Sequence, residues 1–473
     1  MAYRPISAIV LAAGEGTRMK SSTAKVLHKL CGRPMLLHVL DALVELPLER
    51  IVIVVGHDSA PVIDTVKKQF SSKIPIEFVK QEVQRGTGDA VSVGLSTFSD
   101  AADTDGDVLV LAGDVPLLCP ETLAVLATEH RLADAAATLL TVEIPDPTGY
   151  GRVVRDKRGE VVAIVEQADA NAVQLELTEI NTSIYCFRQS YLAPALRRVI
   201  PDNAQEECYL TDTISVLRAT GHSVLTVAVP DTSEVVGVND RAQLATAESL
   251  LRARINNYWM RSGVTMVDPA RTYIDTSVVL DPDVTLLPGV SLEGSTQIDV
   301  SAIIGPDCRL INTVVGARSV ICQTVARDAE VGADVTIGPW ASLRSGTKIG
   351  AGAHIGTFVE TKNSDIGEGA KVPHLAYIGD TDIGPGANVG AGTITANYDG
   401  REKHRTQIGR DAKLGSNTVL VAPVTVGDGA YTAAGAVVVD DVPPGALAKG
   451  VPAQNHKDWV KKNRSDDDIK ESR

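Results

Sequence analysis

The chain has 473 residues, enough for two or three domains of ordinary size, and its 44% of hydrophobic residues excludes wholesale disorder. With 45 basic and 59 acidic residues the net charge is −14, which speaks against a nucleic-acid polymer as partner but leaves anionic small substrates open. Forty glycines against only 5 Phe, 10 Tyr and 3 Trp point to thin, turn-rich structure, and the glycines are unevenly placed: 14 in residues 1–262 and 26 in 263–473.

Residues 6–13 form an apolar run ending at Gly14, as suits a central parallel strand buried on both faces. A Gly-rich turn, a helix over about 34–46, a strand over 51–55, a helix from about 60 and a strand over 76–79 follow. A helix over 88–98 then leads to a strand over 108–112. Strands alternating with helices imply βαβ units, a parallel sheet and a ligand site at the carboxyl ends of the strands. Three segments reach that rim. Gly14-Glu15-Gly16-Thr17-Arg18, with Lys25 beyond, offers backbone N–H groups and two cations to a polyphosphate, although it is neither a Walker A loop nor GxGxxG. Gln81 with Gly86-Thr87-Gly88 offers an amide and a close approach to a base. Gly113-Asp114 offers a carboxylate suited to Mg²⁺.

Residues 240–261 contain strong helix formers and neither Gly nor Pro, and read as one linking helix about 30 Å long that holds two sites apart. The expected organisation is a first domain over 1–240, the linker over 241–262 and a second domain over 263–473.

In that second part apolar residues recur every six positions: Val278, Val284, Val290; then Val331, Ile337, Leu343, Ile349, Ile355; then Ile408, Leu414, Leu420, Val426. A six-residue period fits neither helix nor coiled coil; it fits a left-handed parallel β-helix, with one hexapeptide per face and about ten coils. A polar loop over 394–407 interrupts the repeat without a packing reason. His374 and Tyr377 stand where turn residues would suffice, and Arg344 and Lys362, one coil apart, stack on one face.

The six cysteines, Cys31, Cys119, Cys186, Cys208, Cys308 and Cys322, show no CxxC spacing and are expected as free thiols in a reducing cytoplasm. A secretory leader and a membrane span are not expected from the pattern.

Leu11-Ala12-Ala13-Gly14 with Gly16-Thr17-Arg18-Met19 resembles the sugar-1-phosphate nucleotidylyltransferases, which carry a Rossmann-like α/β domain of the GT-A type. Gly86-Thr87-Gly88, Gly113-Asp114-Val115-Pro116, Asp146–Arg152, Val165-Glu166, Glu179–Thr182 and Glu234–Asn239 continue the match in order. Phe358–Lys362, His374–Asp380, Asn388–Thr393 and Ala396–Gly400 resemble the hexapeptide acyltransferases. Together the halves resemble the bifunctional bacterial N-acetylglucosamine-1-phosphate uridyltransferase / glucosamine-1-phosphate acetyltransferases. The tail after about Gln454 carries no match, and Asp466-Asp467-Asp468 within it is expected to be solvated.

The resemblance implies two reactions: acetyl transfer from acetyl-CoA to glucosamine 1-phosphate, then uridylyl transfer from UTP to N-acetylglucosamine 1-phosphate. The product, UDP-N-acetylglucosamine, is a precursor for peptidoglycan and lipopolysaccharide. In the first half Leu11, Ala12, Ala13, Gly14, Arg18, Lys25, Gln81, Gly86, Thr87, Gly113, Asp114, Gly151, Glu166, Asn181 and Asn239 would bind UTP and the product. Asp114 and Asn239 would ligate Mg²⁺. In the second half His374 would be the general base and Glu360 would orient it. Arg344, Lys362, Tyr377 and Asn388 would bind glucosamine 1-phosphate. Ala391, Asn397, Tyr398, Ser416, Ala434 and Lys449 would meet acetyl-CoA. A cytoplasmic homotrimer assembled through the β-helix is implied. The alternative is a monofunctional nucleotidylyltransferase with a purely structural β-helix. The chain departs from the resembled pattern at Ala24, Asp89, Ser183 and Ser345, where Pro, His, Gly and Pro are common, and at Lys449, one position from a usual Arg.

Overall fold

The computed structural model describes residues 4–57, 59–98, 105–229 and 231–450. The expectations for the tail, including Asp466-Asp467-Asp468, lie outside them. The chain divides into two compact units, Met1–Arg254 and Ile255–Arg473. The division falls inside the helix expected to link them rather than at its ends.

The first unit is built on nine strands: β1 (Ile6–Ala12), β2 (Ile51–Val55), β3 (Ile76–Lys80), β4 (Asp107–Ala112), β5 (Ala137–Glu143), β6 (Arg152–Arg155), β7 (Val161–Val165), β8 (Glu179–Arg188) and β9 (Val224–Ala228). Their order is β9-β5-β8-β4-β1-β2-β3, with the β6–β7 hairpin attached to β8. The helices longer than one turn are α1 (Met35–Val44), α2 (Ala60–Gln69), α3 (Thr87–Leu95), α4 (Pro120–Leu132), α5 (Gln189–Leu196) and α6 (Asp212–Ala219). β1 to β4 pair in parallel, and their Val, Ile and Leu side chains are buried on both faces of β1 and β2. The ends of β1, β3 and β4 therefore share the predicted rim. The all-parallel reading needs one correction: β8 runs antiparallel to both β4 and β5. An antiparallel neighbour needs no crossover helix, and here the chain reaches β8 by way of a hairpin.

The helix α7 (Arg241–Arg261) contributes to each unit's core in turn. Leu244, Ala247, Leu250 and Leu251 pack with Leu30, Met35, Leu117 and Val238 in the first unit, and Ile255, Trp259 and Met260 pack on the core of the second. Among the described residues no helix is long and apolar enough to cross a membrane.

The second unit is a prism of three parallel sheets. One runs from Thr265–Met266 to Lys371–His374 in seven strands. The second runs from Thr272–Ile274 to Val437–Val438 in ten, and the third from Val279–Leu280 to Val424–Val426 in nine. Each strand pairs with the strand one coil on, as Leu343 does with Thr361 and Ile349 with Ile366. All the apolar residues of the predicted six-residue series are buried. They form one continuous axial core in this left-handed β-helix of hexapeptide repeats. Short strands stacked coil on coil place each outward residue above its counterpart, so a row of side chains along one face becomes a surface with defined chemistry.

Candidate active sites

In the first unit the rim segments enclose a cavity of about 520 Å³. Of the residues expected to bind nucleotide there, Leu11, Ala12, Ala13, Gly14, Arg18, Lys25, Gln81, Gly86, Thr87, Asp114, Gly151, Glu166, Asn181 and Asn239 all line it. Gly113 stands behind the wall, where a Cβ would lie 3.1 Å from the Leu11 carbonyl oxygen.

The local chain explains the convergence. Gly16 has φ +63°, and a Cβ there would stand 2.6 Å from the Cβ of Lys25, so glycine lets the loop fold back onto the lysine. The Lys25 ammonium pairs with the Asp114 carboxylate and donates to Asn239 Oδ1 at 3.2 Å, while Arg18 donates to the same oxygen at 2.9 Å. Asn239 is held in turn: its N–H donates to Gln243 Oε1 at 2.7 Å, and Gln243 N–H donates to Asp240 Oδ1 at 2.8 Å at the start of α7.

A cation therefore already sits between the Asp114 and Asn239 oxygens. Among the described residues no group of three or more His, Cys, Asp or Glu could hold a metal. Two protein oxygens with the remaining positions left to water and phosphate are a donor set that suits Mg²⁺ rather than a softer metal.

On the opposite wall Glu166 accepts from Thr211 Oγ1 at 3.3 Å. Burial raises its carboxyl above the ordinary range; the Thr211 hydrogen bond opposes the rise, and Asp212 and Asp169 add to it. Asn181 donates to Tyr185 Oη at 2.7 Å in the interior of β8. Beside it Ser183 adopts φ +60° at an irregularity in β8, a conformation that favours glycine.

In the second unit, strand register brings the expected residues together on an open face. Ser342 pairs with Glu360 and Leu343 with Thr361, so Arg344 and Lys362 are neighbours across the ladder. One coil further, Glu360 pairs with Tyr377 and Lys362 with Gly379. Gly379 keeps space open, since a Cβ would meet the Tyr377 hydroxyl at 2.6 Å and Asn397 Nδ2 at 2.7 Å. Asn363 donates to Asp380 Oδ1 at 2.6 Å and Asn397 donates to the other oxygen. Burial would raise the Asp380 carboxyl, but these two donors and the ammonium groups of Lys362 and Lys403 outweigh it and hold it low.

Lys403, on the polar loop, lies against Lys362 and depresses its pKa; Arg344 acts in the same direction and Asp380 in the opposite one. Three cations thus share one patch with the Asp380 and Glu360 carboxylates. Asn388 bridges Lys371 and Lys413 in the first sheet's continuation. Ala391 and Ser416 mark the next corners, through Asn417 N–H to Ala391 O and Gly435 N–H to Ser416 O. Tyr398, Ala434 and Lys449 are exposed, and Lys449 closes the described residues near their end.

One expected contact is absent among the described residues: Glu360 does not reach His374. Its carboxylate accepts from Arg344 at 2.8 Å. The two residues belong to different sheets. Glu360 lies beneath Tyr377 on the second sheet, whereas His374 ends a strand of the first sheet, paired with Thr357. His374 is exposed.

Sequence reasoning passed over Gln243, Asp380 and Lys403. Asp240 and Gln243 carry the spacing of a helix capping box, a legible signal for the first. Lys403 stood in the polar loop already singled out, but nothing in the linear pattern showed where that loop folds.

Comparison with known proteins agrees with this geometry. Residues 8–179 match the MobA-like NTP transferase domain, and residues 328–363 and 405–440 match the bacterial transferase hexapeptide repeats. The chain is 48% identical over 466 residues to a protein of Streptomyces avermitilis, covering 98% of this chain and 95% of the relative. It is 47% identical over 460 residues to one of Mycolicibacterium smegmatis (96% and 95%). It is 46% identical over 460 residues to one of Mycobacterium tuberculosis (96% and 92%). Each relative is named bifunctional protein GlmU. The chain belongs to the GlmU family of bifunctional transferases, with a nucleotidyltransferase domain followed by a hexapeptide acetyltransferase domain.

Proposed function

We propose that the two sites act in series to make UDP-N-acetylglucosamine from glucosamine 1-phosphate, acetyl-CoA and UTP. The observation that carries this reading is the presence of a separate anion-ready constellation in each unit: Arg18, Lys25, Asp114 and Asn239 in the first, and Arg344, Lys362 and Lys403 in the second. A β-helix serving only as scaffold has no need to bring Arg344, Lys362 and Lys403 onto one patch, which disfavours the monofunctional alternative.

At the second site the sugar phosphate lies against Arg344, Lys362 and Lys403. His374 removes a proton as the sugar amine attacks the thioester carbonyl; the C–N bond forms, the C–S bond breaks and CoA leaves as its thiol. Glu360 holds Arg344 toward the phosphate. Tyr377, Asn388 and Asn397 position the sugar and the acetyl group, with Ala391 N–H as oxyanion donor. Tyr398, Ser416, Ala434 and Lys449 meet CoA.

At the first site a phosphate oxygen of N-acetylglucosamine 1-phosphate attacks the α-phosphorus of UTP and pyrophosphate leaves, a transfer governed by positioning and charge neutralisation. Gln81 and Gly86 take uracil, Arg18 and Lys25 take the triphosphate, and Gly151, Glu166 and Asn181 take the sugar. Asp114 and Asn239 hold Mg²⁺, which supplies charge neutralisation at the phosphates.

Assembly through the β-helix is supported by one corner of the prism. Gln323, Trp340, Phe358 and Leu375 follow one another there, each with positive φ (42°, 56°, 57° and 50°). Asn, Asp or Gly usually fill such positions, and a large side chain costs about 1 kcal/mol or more in this conformation. Yet Trp340 and Phe358 stack at 5.3 Å, and with Leu375 they are 55%, 54% and 62% exposed. Leu375 adjoins His374, so a further copy of the chain seated on this apolar ladder also completes the acetyl-transfer site, as in a homotrimer. Cys119, Cys186, Cys208, Cys308 and Cys322 are free thiols, which supports a reducing, cytoplasmic setting.

The test is one coupled assay with glucosamine 1-phosphate, acetyl-CoA, UTP and Mg²⁺. The reading predicts UDP-N-acetylglucosamine and pyrophosphate. Acetyl transfer that survives His374→Ala unchanged refutes the bifunctional mechanism.

A further inference from the structure

Gln81 is only 4% exposed, yet it lines the nucleotide cavity, so what its amide presents there decides which base fits. The backbone is pinned: Gln81 N–H donates to Val55 O at 2.9 Å, extending the pairing of β3 with β2. The side chain is pinned as well. One end of the amide lies 2.7 Å from Asp89 Oδ2 and 3.3 Å from Gly86 O. A carboxylate and a carbonyl only accept, so that end is the NH₂ group and both of its protons are used. Oε1 alone remains for a ligand.

Asp89 stands in the first turn of α3, where the helix favours a negative charge, and it is not part of the cavity wall. It touches Gln81 from behind.

We propose that Asp89 is a positioning residue that locks Gln81 with its carbonyl oxygen toward the base, and so sets the preference for uridine over cytidine nucleotides. The proposal rests on the uridylyl-transfer reading of this site. Uracil carries an N3–H that donates to the fixed oxygen. Cytosine has a lone pair at N3, and two acceptors would then face each other in a buried site. Thymine shares the N3–H, so Asp89 does not separate UTP from dTTP. Without Asp89 the amide can turn over and offer its NH₂ end, which suits cytosine.

The experiment measures kcat and KM for UTP and CTP in the full-length protein, with saturating N-acetylglucosamine 1-phosphate and Mg²⁺, for wild type, Asp89→Ala and Asp89→Asn. The thermal unfolding transition, followed by circular dichroism, reports that the first unit of each variant is folded. In Asp89→Ala the ratio of kcat/KM for UTP to that for CTP falls by about tenfold or more. The change lies in KM, rising for UTP and falling for CTP, with kcat for UTP within about twofold. Asp89→Asn keeps an acceptor oxygen and restores most of the preference. An unchanged ratio in Asp89→Ala, or equal losses with both nucleotides, overturns the role of Asp89 while leaving uridylyl transfer standing. A wild type that releases no pyrophosphate from UTP refutes the uridylyl reading and this proposal with it.

Discussion

The two sites are built on opposite plans. In the first unit the working groups come from the ends of several strands and the start of α7, meet around one cavity and hold one another by hydrogen bonds before any ligand arrives. In the second they lie on two adjoining outer faces of a prism, with His374 and Tyr398 exposed and an apolar ladder beside them. A strand rim can wrap a ligand within one chain; a flat solenoid face cannot, and gains an opposite wall only from another copy. The first site is therefore expected to work in a single chain and the second only in an assembly.

The largest effects should separate the two chemistries. His374→Ala is expected to lower acetyl transfer by about 10² to 10⁴-fold and to leave pyrophosphate release from UTP and N-acetylglucosamine 1-phosphate unchanged. Asp114→Asn should do the reverse, in the same two assays. If either variant damages both activities alike, the sites are not independent.

Next comes the ladder. Phe358→Glu places a charge in the proposed contact, and sedimentation should show smaller species. Acetyl transfer should fall with assembly while uridylyl transfer per chain persists. Assembly and acetyl transfer that both survive this change would move the interface elsewhere.

A smaller effect is expected at the cation patch. Lys403→Ala removes one phosphate partner and should raise KM for glucosamine 1-phosphate about tenfold, corresponding to roughly 1.4 kcal/mol. Acetyl-CoA KM should change little.

The smallest effect concerns pH. Burial raises the Glu166 carboxyl above its ordinary value of 4.5. As pH falls through that raised value the group protonates, loses acceptor capacity toward a sugar hydroxyl, and KM for N-acetylglucosamine 1-phosphate rises. The stability effect has the opposite sign: the native state binds this proton more tightly than the unfolded chain, so its contribution is favourable at low pH and is lost as pH rises from 4.5 through the raised value. In Glu166→Gln the pH dependence of KM should flatten.

Much of this was legible in the sequence, for physical reasons that differ between the units. Ile51–Val55 stands as a strand with the bounds expected from its apolar run, because burial on both faces leaves little room for polar residues. Val331 to Ile355 and Ile408 to Val426 lie on the axis, because one side chain per face must fill a narrow prism. The antiparallel course of β8 left no mark, since pairing direction depends on where the chain re-enters the sheet.

At the sites, Arg344 and Lys362 were placed by coil length alone. The next coil is one residue shorter, so Glu360 pairs with Tyr377, seventeen positions on, and on a different sheet from His374. The Trp340–Phe358 stack was hidden because its signature is a positive φ, which side-chain type does not announce. Asp89 was visible as a departure, but its contact with Gln81 arises only when the first turn of α3 folds against the end of β3.

The central claim is that one site is complete within the chain and the other is completed by assembly. The most direct test measures both specific activities on one wild-type sample across a dilution series, with the oligomeric state recorded at each concentration. The account predicts that acetyl transfer per chain falls as the assembly dissociates while uridylyl transfer per chain stays constant. Acetyl transfer that persists undiminished in dissociated chains would contradict it.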